Sequence, residues 1–260
     1  MKLLVQSDDY GITKAVSLGI IGGIRNGIVR NTGLFANMPW AEECVELIRP
    51  YLDQIDFGID LNSSTGPSLL GYEKVPGLCH ENGMFLTSKE NRALDTEENG
   101  HDHVNYDEIL AEFDTQVQRF IELTGKKPDY IHGHAYGTKT TFRAYEAIAE
   151  KYGCPVTTKI IDQKIVSNFS MAHYRFGNEM QAQLQDDLKE RILGADEAFM
   201  KGETGFIISH CGYIDAALFG LSSFTVYRPM DLAALTDPEV KEWVKRNQVE
   251  LIRYRDLVNA

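Results

Sequence analysis

Short apolar segments alternate with amphipathic segments along most of this chain, and this alternation restricts its fold more than any other feature. Residues 3–6 are too few for a helix, so we predict a buried strand there. Val16, Ile20 and Ile24 then recur at helical spacing until Asn26 and Gly27 end the helix. The same alternation predicts further strands at residues 28–37, 57–61, 130–134, 155–159, 206–209 and 249–252, and further helices at 41–49, 106–123, 142–152, 179–200 and 238–246.

Alternating strands and helices favour parallel strands joined by right-handed crossovers. In a chain of 260 residues, we expect an α/β fold of the distorted or incomplete (β/α) barrel type rather than an open sheet. Hydrophobic residues make up 43% of the chain, which is enough for a large core without disulfides. No repeat or linker divides the sequence, so residues 1–260 are predicted to form a single domain.

The charge balance narrows the choice of partners. Lys and Arg total 26 against 38 Asp and Glu, which gives a net charge of −12. Nucleic acids and anionic membranes both need a basic surface, so neither is expected as a partner. The four cysteines are scattered and include no C-x-x-C pair, which is typical of free thiols in a reducing compartment. We find no signal peptide and no membrane-spanning segment in the sequence, and we therefore expect a cytoplasmic protein.

Titratable side chains stand at the ends of four predicted strands. They are Asp8 and Asp9, then Asp60, then His132 and His134, and finally His210. The carboxyl ends of parallel strands form one rim, where active sites are assembled from several loops. Because carboxylates and imidazoles are ligands for divalent ions, the pattern predicts a metal centre at this rim.

Each of these groups also has a purely structural interpretation. An Asp-Asp pair after a strand is often a solvated loop with a helix cap, although Gly11 indicates a tight turn that holds both carboxylates at the strand end. His132 and His134 lie two residues apart, and we expected only one of them to point into the barrel. Residues 62–105 are predicted to be a long irregular segment, and its three histidines, His80, His101 and His103, are expected in a solvated loop.

Several segments together resemble a known family. The sequence begins with LLVQSDDYGITKAVSLGIIGGIRNGIVRNTGLFANMP and continues with FGIDLNSSTGPSL, RFIELTGKKPDYIHGHAYG, RFGNE, IISHCGYID and YRPMDLAALTDPEVKEWVKRNQVELIRYRDL. In this order they resemble the YdjC-like carbohydrate deacetylases, which include the chitooligosaccharide deacetylases. The resemblance implies a distorted (β/α) barrel, often dimeric, that removes an acetyl group from an N-acetylated sugar or small oligosaccharide with a divalent cation.

The resemblance also implies roles for individual residues. By position, Asp9, Asp60 and His134 would bind the metal, Asp8 would be the general base and His210 the general acid. Asp60 stands where the family usually has a metal-binding histidine, and His132 stands where it usually has an aspartate, which leaves His132 beside the ligands or against the substrate. The additional carboxylate makes the site more anionic, which favours Mg²⁺ first, with Mn²⁺ or Zn²⁺ as alternatives.

Two other functions remain open at this stage. One is metal-dependent hydrolysis of another bond, of which a phosphoester is disfavoured because no cluster of Arg or Lys follows the predicted strands. The other is a catalytically silent sugar-binding protein, which the replaced positions at Asp60 and His132 favour.

Overall fold

A computed structural model describes residues 1–162, 174, 177–195, 200 and 203–258. Within these ranges the strands form one sheet in which every pair is parallel, in the order β4-β3-β2-β1-β5, with β6 also paired to β1. The strands are β1 Lys2–Tyr10, β2 Asn31–Leu34, β3 Asp56–Leu61, β4 Ile131–Gly133, β5 Thr204–Ser209 and β6 Glu250–Ile252. The parallel α/β fold is confirmed, and the sheet does not close into a barrel within the described residues.

The central strand β1 determines where the site lies. Its first half pairs with β6 on one side, its second half pairs with β2 on that same side, and β5 lies along its other side. Residues 3–5 at its start are completely buried. The strand therefore runs through the core and delivers its last residues to the rim shared by β2, β3, β4 and β5.

The helices described in the structure surround this sheet, and most of the predicted ones are present. Thr13 caps α1 by accepting a hydrogen bond from the Val16 amide, and Gly125 ends α4 in the left-handed conformation. The helices are α1 Lys14–Asn26, α2 Ala41–Ile48, α3 Ser88–Leu94, α4 Tyr106–Thr124, α5 Lys139–Tyr152, α6 Thr157–Asp162, α7 Met180–Gln183, α8 Leu188–Leu193, α9 Tyr227–Thr236, α10 Pro238–Arg246 and α11 Tyr254–Val258.

Two predicted elements are wrong. Residues 155–159 do not form a strand: Val156 makes a single bridge to Ile131, and the helix α6 begins at the next residue. Of the predicted long helix at 179–200, residues 179–195 are described and form two short helices, α7 and α8, because Asp187 caps a new helix start by accepting from the Glu190 amide. Local capping therefore overrides the apolar periodicity in this segment.

The long connection between β3 and α4 is ordered by acidic side chains of α4. Glu112 is completely buried and accepts hydrogen bonds from the Ser68 hydroxyl and from the amides of Leu69 and Leu70. The Gln116 side chain donates a further hydrogen bond to the same carboxylate. The connection also contains a short helix, α3, so it is less irregular than predicted.

Replacing Glu112 tests this role. We expect Glu112→Ala to lower the free energy of unfolding by at least about 2 kcal/mol, because several donors lose their buried acceptor. The control is Glu122→Ala on the solvent side of the same helix, where we expect a change below about 0.5 kcal/mol. Urea denaturation measures both, and equal midpoints for the two variants would contradict the assignment.

Two further findings bear on the sequence predictions. All four cysteines are buried and free, as expected from their spacing. No helix in the described ranges has the length and apolar character needed to cross a bilayer. The cytoplasmic location and the assignment of residues 1–260 to one domain stay predictions.

Candidate active site

Five of the six predicted site residues meet at one cavity of about 750 Å³ at the carboxyl ends of the strands. Asp60, the sixth, is buried beside them and does not line the cavity. The five residues come from β1, from β4 and the residue after it, and from the residue after β5: Asp8, Asp9, His132, His134 and His210. The convergence at the strand ends is therefore as the sequence pattern predicts.

A bulge in β1 allows two consecutive carboxylates to face the same cavity. Regular strand geometry would send Asp8 and Asp9 to opposite faces of the sheet. The pairing of β1 with β2 is irregular between Ser7 and Tyr10, and Asp9 has a φ of 71°. A non-glycine residue in this conformation is uncommon and costs free energy, which the surrounding structure must offset. Gly11, with a φ of 90°, completes the turn that the sequence indicated.

Asp8 lies among hydrogen-bond donors and imidazoles. The Gln6 amide donates to its Oδ1 over 2.5 Å, and the Tyr254 hydroxyl holds Gln6 in that orientation by donating to its Oε1. Asp8 Oδ2 is 3.4 Å from His132 Nε2 and 3.9 Å from His210 Nε2. Burial alone would raise the pKa of Asp8, but the two imidazoles outweigh it and the pKa lies below its usual value. Asp8 is therefore ionised at neutral pH.

Asp9 forms a buried ion pair. Its Oδ2 lies 2.7 Å from Nη2 of Arg228, a side chain with no exposed surface, and Arg228 is itself held by the Phe224 carbonyl and the Ser222 hydroxyl. The other oxygen, Oδ1, lies 3.0 Å from His134 Nδ1. Burial would raise the pKa of Asp9, but His134 and Arg228 lower it well below the usual value. Arg228 thus occupies one oxygen of Asp9 and leaves the other towards His134.

Asp60 is held against the backbone of the neighbouring strands. Its Oδ2 accepts a hydrogen bond of 2.8 Å from the Asp9 amide. A side chain at Gly33 would overlap the Asp60 carboxylate, so the glycine is what leaves room for it. Burial, reinforced by the nearby charge of Asp8, raises the pKa of Asp60 to about 8. Asp60 therefore supports the backbone of Asp9, and its role as a metal ligand stays a prediction.

Both histidines of the β4 segment reach the cavity, so the expectation that only one would do so is wrong. The strand ends at Gly133, and His134 therefore no longer follows the alternation of a strand. In each histidine, the ring nitrogen that does not face an aspartate lies near a threonine hydroxyl. Thr157 Oγ1 is 2.6 Å from His132 Nδ1, and Thr65 Oγ1 is 3.3 Å from His134 Nε2. Burial would lower the pKa of His132, but the carboxylate that it faces raises it to about 9.

His210 is oriented through its backbone and its ring face. The His210 amide donates to Asp231 Oδ2, which also accepts from the Tyr174 hydroxyl. The ring meets Phe224 edge-on at a centroid distance of 5.1 Å. Burial lowers the pKa of His210, so this imidazole is neutral at neutral pH.

The remaining predicted positions have simpler roles. His103 is mostly buried, with Nδ1 2.8 Å from Asp95, so the prediction of a solvated loop is wrong for this histidine. His80 and His101 are exposed, as expected. His173 lies outside the described residues.

The donor atoms are compatible with a divalent cation. In the described part of the chain no three His, Cys, Asp or Glu side chains are arranged as a complete ligand set. However, the buried oxygen Asp60 Oδ1 accepts no hydrogen bond there, and the buried oxygen Asp9 Oδ1 is approached by the ring nitrogen of His134 without a well-aligned hydrogen bond. Buried carboxylate oxygens without a partner are costly, and a cation offsets that cost. The oxygen of Asp9 beside the nitrogen of His134 is a donor pair that suits Mg²⁺, Mn²⁺ or Zn²⁺.

Sequence analysis missed the cationic residues of this site. Arg228 lies in helix α9, which the sequence analysis did not predict, and no sequence signal distinguishes it from an ordinarily solvated arginine. Lys89 and Arg92 of α3 line the cavity, and Arg92 donates to the Ala135 carbonyl just beyond His134. The long segment before α4 brings both residues to the rim, which its irregular composition did not indicate.

Comparisons with known proteins identify the relatives of this chain. A family model described as YdjC-like protein matches residues 2–246. A carbohydrate deacetylase of Thermoanaerobacter pseudethanolicus is 29% identical over 97% of each chain, and a chitooligosaccharide deacetylase of Proteus mirabilis is 25% identical over 98% of each. A crystal structure from Enterococcus faecalis, described as a cellobiose-phosphate cleavage protein, has a TM-score of 0.77 and 26% identity over 98% of each chain.

Proposed function

Because this chain belongs to the YdjC-like family, we propose that it removes the acetyl group from an N-acetylated sugar or small oligosaccharide. The observation that carries this proposal is the pairing at one cavity: ionised Asp8 between two imidazoles, next to Asp9 facing His134. A general base next to a group that can donate a proton is suited to amide hydrolysis by a water molecule that the base activates. The relatives named as carbohydrate deacetylases support acetyl transfer to water over hydrolysis of another bond.

Asp9 and His134 are the residues that would hold a divalent cation, with Asp60 supporting Asp9 from behind. We favour Mg²⁺, with Mn²⁺ and Zn²⁺ as alternatives, since the carboxylates make the donor set oxygen-rich. When bound, such an ion polarises the acetyl carbonyl and stabilises negative charge on its oxygen. Arg228 donates a hydrogen bond to Asp9 Oδ2, so Asp9 Oδ1 is the oxygen that would bind the ion.

Asp8 then accepts the proton of the attacking water at Oδ2. The lowered pKa keeps Asp8 ionised, and Gln6 occupies its other oxygen. Protonated His132, with a pKa of about 9, faces the same carboxylate and stabilises its charged form. Water adds to the carbonyl carbon as its proton passes to Asp8.

His210 supplies the proton that the leaving amine requires. Its lowered pKa means that the ring is neutral before reaction and must gain a proton during it. Asp8 Oδ2, 3.9 Å from His210 Nε2, is the neighbouring group that has just taken one. Transfer from His210 Nε2 to the nitrogen accompanies breakage of the C–N bond and releases acetate and the free amine.

Removal of metal tests the proposal. We expect acetate release from a panel of N-acetylated sugars to fall below a tenth after dialysis against EDTA and to return when Mg²⁺, Mn²⁺ or Zn²⁺ is added singly. An enzymatic acetate assay with parallel elemental analysis measures both. Full activity in metal-free protein would show that the reaction needs no cation. If the metal-loaded protein released no acetate from any sugar of the panel, the deacetylase function would be rejected.

Two finer features belong to the same proposal. The resemblance to often dimeric proteins supports a homodimer, and the free buried cysteines support a cytoplasmic location. Size-exclusion chromatography with light scattering distinguishes dimer from monomer.

A further inference from the structure

Phe219 is an exposed aromatic side chain in the wall of the catalytic cavity. It lies in the short 3₁₀ helix Leu218–Gly220, and 60% of its surface is accessible to solvent. Its neighbour Leu218 is completely buried and its amide donates to the Asp215 carboxylate, so the turn that presents Phe219 is anchored. Leaving a phenylalanine in water forgoes the hydrophobic stabilisation that burial would bring. Single exposed apolar side chains are common, but this one lies on an anchored turn in the wall of a cavity, where it can contact a bound ligand.

The order of side chains along this wall relates Phe219 to the reacting bond. Phe224 packs edge-on against His210, the proton donor to the leaving amine, and therefore lies beside the sugar that loses its acetyl group. Leu221 and Phe219 line the same wall, and Phe219 lies five residues before Phe224 in the chain. Among the described residues, no atom lies within 4 Å of the position that a side chain at Gly220 would take, next to Phe219. The wall thus extends from the reacting sugar to a second, open position.

We propose that Phe219 is the stacking platform for the sugar unit next to the one that is deacetylated. This inference rests on the proposed function. The C–H face of a pyranose ring is apolar, and an aromatic ring can cover it without any hydrogen bond that depends on the sugar's identity. The cavity volume of about 750 Å³ lies in the range of sites that enclose ligands larger than a single ring. Phe219 therefore makes the site selective for oligosaccharides over monosaccharides.

The test compares N-acetylglucosamine with its β-1,4-linked dimer and trimer. In Phe219→Ala we expect the ratio of kcat/KM for the dimer to that for the monomer to fall about tenfold, through KM rather than kcat. Phe219→Trp should restore most of the ratio, since it supplies another stacking face. The control is Phe142→Ala, a half-exposed phenylalanine of α5 that does not line the cavity and whose loss should leave the ratio unchanged.

A binding measurement separates this inference from the proposed function. Calorimetric titration of the dimer into Asp8→Asn protein, with and without Phe219→Ala, should show about a tenfold weaker Kd without the ring. Phe219-dependent binding of the dimer without acetate release from the wild-type protein would support the platform and reject the deacetylase function. The proposed role of Phe219 would be wrong if the dimer-to-monomer ratio of kcat/KM were the same in wild type and Phe219→Ala. It would also be wrong if the Kd of the dimer were the same with and without the Phe219 ring.

Discussion

Replacement of Asp8 by asparagine should lower turnover by about 10²–10⁴-fold, the range expected for loss of a general base. Asparagine has nearly the same shape, and its carbonyl can still accept from Gln6, but it cannot take a proton from water. Metal content should be unchanged, because Asp9 and His134 are intact. Steady-state acetate release and elemental analysis on the same preparation measure the two effects.

The control for Asp8→Asn is Asp53→Asn, an exposed aspartate just before the start of β3, at the opposite end of that strand from the rim. We expect this variant to retain wild-type turnover, because the charge change is the same and no cavity residue is involved. Near-normal turnover in Asp8→Asn with metal bound would show that another group activates the water. His132, which also faces Asp8, would then be the next residue to replace.

The sequence could predict which strand ends meet at this cavity because the rule behind that prediction is topological. Parallel strands deliver their last residues to one rim whatever their exact lengths, so Asp8, His132 and His210 could be grouped without coordinates. The ends of β3 and β6 were predicted to within one or two residues for a different reason. Polar residues bound these short apolar runs sharply in the sequence.

Orientation within the site could not be predicted in this way. The bulge at Asp9 depends on pairing with β2, and the position of His134 depends on β4 ending one residue earlier. The prediction of one long helix at residues 179–200 was wrong for the described residues 179–195, because Asp187 starts a new helix inside an apolar periodic pattern. Such features arise from tertiary pairing and capping, which override the local pattern.

The contribution of Arg228 was invisible in the sequence for a related reason. An arginine on a helix is ordinarily solvated, but α9 packs against α1, and Phe224 and Ser222 in the segment before α9 bind the fully buried Arg228. Its partner Asp9 is more than 200 residues away in the chain and is also buried. Ion pairs that are distant in sequence carry no spacing signal.

Removing Arg228 should destabilise the protein strongly. We expect Arg228→Met to lower the free energy of unfolding by about 3–5 kcal/mol, because the change leaves the Asp9 carboxylate buried without its cation. That amount is a large fraction of the roughly 5–15 kcal/mol that stabilises a typical domain. Urea denaturation in EDTA measures it, since a bound divalent ion would otherwise replace part of the lost charge.

A double variant separates the ion pair from the loss of packing around the arginine. In Asp9→Asn/Arg228→Met no buried charge is left unpaired, so we expect the double variant to be more stable than the sum of the two single changes, with a coupling of about 0.5–3 kcal/mol. The control Arg253→Met removes a part-exposed ion pair with Asp256 and should cost less than about 1 kcal/mol. If Arg228→Met costs no more than this control, the pair does not hold Asp9, and the orientation of its free oxygen towards His134 must come from the Asp60 contact with its backbone.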